Sequence, residues 1–140
     1  MFNPSVLLEV SLPQTSGNPV ELHAGIQIPK NGMPFLYSYD AKWGIEAPCS
    51  TATAGPPMFT IRGQGSAGPF VVAVVDPDAP TPQSPTVAQI RHFLGGSFVP
   101  DSSTFVLSNS TAAISEWLQP APPAGSDPHR YDIPLMVSGH

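Results

Sequence analysis

Basic residues are scarce in this chain: lysine and arginine together number 5 in 140 residues against 10 acidic ones, for a formal net charge of −5. Proteins that neutralise a phosphate backbone carry basic stripes or patches, so this balance excludes DNA and RNA as partners. Charged residues of both signs reach only 11%, well under the roughly 25% usual for soluble domains. Cysteine is scarcer still. Cys49 stands alone, so no disulfide can form within the chain, and the redox compartment cannot be read from sulfur. Long apolar runs are missing as well: none approaches the roughly 18 residues that a membrane-spanning helix needs. Met1-Phe2-Asn3-Pro4 has neither the basic start nor the apolar middle of a signal peptide. As written, the chain is expected to be cytoplasmic; it is expected to be secreted if an N-terminal signal precedes it, which the glycosylation sequon Asn109-Ser110-Thr111 fits.

Proline and glycine are abundant, at 19 and 12 residues. They predict many turns and few helices. A chain of this length reads as one domain over 1–140, able to bury roughly 68% of its unfolded surface. Residues 5–12, SVLLEVSL, read as a first strand, closed by Pro13 and the Ser16-Gly17-Asn18-Pro19 turn. Val20, Leu22, Ala24, Ile26 and Ile28 then alternate with Glu21, His23, Gly25 and Gln27, a period-two strand with one wet face. The two strands should form a hairpin with His23 solvated on its polar face. Gly95-Gly96 marks a bulge or a close approach, and residues 103–107 read as a further short strand. Residues 112–118 fit either a helical turn or a strand. Trp43, Trp117 and the phenylalanines are expected in the core.

The chain is organised around residues 70–93, FVVAVVDPDAPTPQSPTVAQIRHF. The unbroken apolar run 70–75 reads as a strand buried on both faces. Two prolines stop it, so the turn that carries Asp76 and Asp78 must be stiff. Carboxylates at the end of a core strand need partners, and His92, in the next apolar-polar segment, is the nearest candidate. Farther on, the proline-rich 120–128 cannot form regular structure, and it delivers His129, Arg130 and Tyr131 to the start of another strand. A charged His92 beside Asp76 could hold a small anion, with His129 as a second donor. On residue types alone, Asp78 is expected to cap the turn and Arg130 to pair with an acid at the surface.

The Asp-Pro-Asp-Ala-Pro turn, the later His92-Phe93, and the run Pro122-Pro123-Ala124-Gly125-Ser126-Asp127-Pro128-His129-Arg130-Tyr131 together resemble the phosphatidylethanolamine-binding protein family, fungal-type members included. That resemblance implies an all-β dominated, antiparallel β-sandwich with little helix. It also implies a pocket at Asp76, Asp78, Pro80, His92, His129 and Tyr131, the positions that match the family's. The function implied is binding of a phospholipid head group or another small anion, with inhibition of a protease or kinase, no cofactor and no enzymatic activity. Three positions depart from the family pattern: Thr81-Pro82 where a basic residue is common, Phe93 for tryptophan, and Asp127 for glycine. Residues 32–50 match nothing in the family and read as an insertion, with a retained intron over 32–49 as its explanation. From Asp132 onward the sequence reads as a non-strand tail where the family continues with an apolar strand, leaving a core strand missing and apolar edges exposed.

Two other functional classes stay open. Asp76, Asp78, His92 and His129 could serve a metal-dependent or acid-base hydrolase, although no metal-ligand spacing, nucleophile elbow or phosphate loop is present. The chain could also be a mis-spliced product without function.

Overall fold

The computed structural model describes residues 6–13, 18–22, 55–63, 68–123, 126–127 and 129–137. Those residues contain seven strands and no helix: β1 Val6–Leu12, β2 Val20–Leu22, β3 Met58–Gly63, β4 Phe70–Asp76, β5 Ile90–Pro100, β6 Leu107–Asn109 and β7 Leu135–Val137. His23, the alternation beyond it, residues 32–50 and Trp43 lie outside the described residues. Every strand ladder is antiparallel, in a sheet of order β2-β1-β3 and a sheet of order β6-β5-β4-β7. The expected β1–β2 hairpin forms, with Val10 opposite Leu22. Val10, Phe59 and Ile61 from the first sheet meet Phe70, Val72, Val74, Phe93, Phe98 and Leu107 from the second in one core. Alternate residues on each strand thus supply a shared apolar layer.

The central run forms a strand, but burial is complete on one face only; on the other, Ala73 is buried while Val71 and Val75 are half-buried. Phe70, Val72 and Val74 of β4 are almost wholly buried, at 1%, 0% and 2% exposure. They sit between β5 on one side and β7 on the other. Gly95 is a close approach: an added Cβ would lie 2.8 Å from Phe93 Cζ and 2.9 Å from Phe98 Cε2. The expected bulge is next to it, because Phe70 pairs Phe98 and Val72 pairs Gly95, leaving one extra residue on β5. A second bulge matters more for the site. Val74 pairs Phe93 and Val75 pairs Arg91, so His92 is the extra residue there.

Two expectations are corrected. Residues 103–104 are a turn rather than the start of a strand, because Asp101 Oδ1 accepts from the backbone N–H groups of Ser103 and Thr104 at 2.9 and 2.8 Å. That local bonding competes with a ladder, so β6 begins only at Leu107, and Phe105 is half-exposed rather than in the core. The tail after Tyr131 does supply a strand: β7 pairs β4, with Leu135 opposite Val72 and Val137 opposite Phe70. Asp132-Ile133-Pro134 does not break this edge, because Ala73 N–H donates to the Pro134 carbonyl, so the proline's missing donor is not needed. The edge itself exposes Met136 and Val137. The ambiguous 112–118 is extended, running beside β5 with Ile114 N–H on the Leu94 carbonyl and Leu118 N–H on the His92 carbonyl, both at 2.8 Å.

Candidate functional site

The end of β4 is pinned on both sides. Val75 N–H donates to the Asp132 carbonyl at 2.9 Å, and Asp132 N–H returns to the Val75 carbonyl at 2.8 Å, before Pro77 ends the ladder. Asp76, 4% exposed, then folds its carboxylate inward. Its Oδ1 accepts from Asp78 N–H at 2.8 Å, an Asx turn that fixes the carboxylate plane. His129 Nδ1–H donates to Asp76 Oδ2 at 2.7 Å. His129 is 1% exposed, and its other nitrogen, Nε2, lies 3.2 Å from Ser126 Oγ. The single Ser126 hydroxyl proton can be given to the Asp127 carbonyl, 2.9 Å away, or to Nε2. Both ring nitrogens of His129 are therefore occupied.

His92 is built differently. The bulge re-aims its side chain, and Nδ1 donates to the Leu118 carbonyl at 2.8 Å while Leu118 N–H donates back to the His92 carbonyl. That pair of bonds fixes the tautomer. Nε2 is buried, has no hydrogen-bond partner, and lies 4.0 Å from Asp76 Oδ2. The Tyr131 ring stands edge-on to the imidazole, centroids 5.3 Å apart and planes at 71°. A buried polar atom without a partner is costly. Here it faces the one carboxylate oxygen that His129 also holds.

Asp78 plays another part. Buried at 3% exposure, it takes Arg130 N–H on Oδ2 at 2.7 Å, and the Arg130 guanidinium on both oxygens, Nη2 to Oδ1 at 2.7 Å. The hydrogen bonds from the Arg130 side chain hold the Asp78 carboxyl below the usual carboxylate range despite its burial, and the same pair raises Arg130. The turn-capping role expected of Asp78 falls to Asp76, and the acid expected to pair with Arg130 is Asp78. Pro80 is half-buried after the buried Ala79, whose carbonyl accepts from Val87 N–H at 3.1 Å, so it shapes the turn's path. Asp127, the departure from glycine, accepts from the Gln83 side chain and so ties the proline-rich segment to the acid turn. Phe93, the departure from tryptophan, is core.

The structure thus brings Asp76 of β4, His92 of β5, His129 and Tyr131 together, with Asp78 anchoring, through Arg130, the segment that delivers His129 and Tyr131; that segment is not the strand expected there. It corrects two roles. The direct partner of Asp76 is His129 rather than His92, and His129 has no ring nitrogen to spare for a ligand. The residue missed from sequence is Ser126; its signal was a hydroxyl three positions before His129 in a segment stiffened by prolines. The polar groups converge on one another, and Asp76, His92 and His129 line neither of two further spaces. An apolar cavity of about 20 Å³ is lined by Val74, Trp117, Tyr131 and Ile133 among others, and a groove of about 680 Å³ runs over Phe59, Phe93, Phe98 and Trp117. Among the described residues, no three His, Cys, Asp or Glu side chains are grouped to hold a metal ion. No described helix is long and apolar enough to cross a membrane.

The antiparallel β-rich fold thus carries a buried Asp76–His129 pair at the end of its central strand, with a second buried histidine, His92 of β5, beside it. The sequence profile described as Phosphatidylethanolamine-binding protein matches residues 28–137, and the chain belongs to that family. A search of curated proteins finds no significant match.

Proposed function

We propose that this chain binds a small anion, of the kind a phospholipid head group presents, at His92. The observation that carries this reading is His92 Nε2: buried, unpartnered, and held in orientation through Nδ1. When protonated, that nitrogen becomes an N–H donor with a positive charge behind it, and a phosphate or carboxylate oxygen completes it. Asp76 balances the charge from 4.0 Å, and Tyr131 walls one side. An acidic or phosphorylated protein segment offers the same oxygen, which is how such a module would inhibit a protease or kinase. The hydrolase alternative with Asp78 as an acid or a ligand is disfavoured, because Arg130 holds both of its oxygens. Calorimetry with inorganic phosphate and then with zinc separates the classes. The binding reading expects phosphate heat that His92→Ala abolishes; zinc binding at micromolar affinity that His92→Ala abolishes would overturn it.

A further inference from the structure

Ser126 is a buried nucleophile for which anion binding has no use. Three observations make its surroundings those of a reactive group. Its Oγ lies 3.2 Å from His129 Nε2, within reach for proton transfer. His129 Nδ1 lies 2.7 Å from Asp76 Oδ2, the contact that orients a catalytic imidazole and stabilises its cation. Asp76 is itself locked, because Asp78 N–H holds its other oxygen at 2.8 Å. All three side chains are buried, at 6%, 1% and 4% exposure. Their order along the chain, Asp76 then Ser126 then His129, fits no linear signature, but such relays are recognised by geometry and recur in unrelated orders.

We propose that Asp76, His129 and Ser126 form a nucleophilic relay that cleaves small carboxylic esters. The Ser126 hydroxyl turns about its Cβ–Oγ bond from the Asp127 carbonyl to Nε2 of a neutral His129. Oγ then attacks the ester carbonyl carbon as its proton passes to Nε2. The carbon–oxygen bond to the leaving alcohol breaks, and Nε2 returns the proton to that alcohol. Water, activated by His129 in the same way, adds to the acyl-serine, releases the carboxylic acid and restores the hydroxyl. Ser126 is 6% exposed while Pro123 and Asp127 of the same segment are exposed, so the relay suits a small ester rather than a protein chain. The rival account is structural: Ser126 does no more than satisfy Nε2, and that predicts no covalent chemistry.

The deciding experiment treats the full folded chain with an alkyl fluorophosphonate, in which an Oγ–P bond forms as fluoride leaves. Peptide mass mapping then locates the adduct. The expected result is one phosphonyl group on Ser126, added at least tenfold faster than to the urea-unfolded chain. Ser126→Ala should lose that adduct along with hydrolysis of 4-nitrophenyl acetate above background. Because removal of one oxygen leaves the Asp76–His129 pair in place, Ser126→Ala should keep a dispersed NMR spectrum. An adduct scattered over other serines, or a Ser126 no faster than in urea, overturns the relay. Phosphate calorimetry on Ser126→Ala reports on the anion site alone, so the two readings fail separately.

Discussion

Two aspartate turns in this molecule start from the same local chemistry and end in different roles. Asp76 ends β4 and Asp101 directly follows β5, and each accepts the backbone N–H of the residue two positions on. Asp101 is exposed, and its Oδ1 also takes both hydroxyls of Ser103 and Thr104 and the Thr104 N–H. These bonds, that from the Ser103 hydroxyl foremost, push its carboxyl far below the usual range. Every partner lies within three residues. Asp76 is buried and reaches His129, 53 residues away. Water competes freely at the first turn and is excluded from the second, so the same carboxylate group makes a local punctuation mark in one place and a long-range tether in the other.

The comparison predicts an order of effects. Asp76→Ala should be the most damaging, at about 3–5 kcal/mol, because it strips a buried partner from His129 and leaves that imidazole's Nδ1 unsatisfied. Urea unfolding followed by fluorescence reads this, and a loss under about 1 kcal/mol would put Asp76 in the same class as a solvated turn. Arg130→Ala should come second. Asp78 titrates lower in the folded chain than in the unfolded one, so its stabilisation is present above the ordinary carboxylate range and fades as pH falls through the folded value. The gap in unfolding midpoint between wild type and Arg130→Ala should therefore be open at neutral pH and shrink below about pH 4. A gap that widens on acidification would contradict the assigned pairing. Asp101→Ala should have the smallest effect, a slight midpoint change with the sheet intact by circular dichroism; cooperative loss of structure would show that the exposed turn is a tether after all.

How far the sequence carried this account differs between these regions for physical reasons. The 70–75 strand was legible because a central strand with one face in the core and the other largely covered is written as an unbroken apolar run, and nothing else in the chain has one. The grouping of Asp76, His92 and His129 was legible through the family's paired motifs. What escaped was who bonds whom. A bulge at His92 and the choice of His129 as partner to Asp76 depend on register between distant strands, which no local pattern specifies. The tail was misread for a similar reason: Pro134 looks fatal to a strand until the edge position of β7 leaves its missing donor unneeded. Residues 103–107 were misread in the opposite sense, since their β-prone threonine, phenylalanine and valine hid a side chain at Asp101 that gathers the backbone into a turn.

The central claim is that His92 Nε2 is the donor left open for an anion, with its charge steadied by the Asp76–His129 pair. The most direct measurement is NMR of the imidazole nitrogens during a titration with inorganic phosphate, repeated from about pH 5 to about pH 8. The account predicts that phosphate moves the His92 Nε2 resonance far more than either nitrogen of His129. It also predicts weaker binding at the alkaline end of that series, because neutral imidazole presents no N–H at Nε2 once Nδ1 holds the Leu118 carbonyl. Phosphate that binds equally at both ends of that range, or that shifts His129 while His92 stays still, would contradict it.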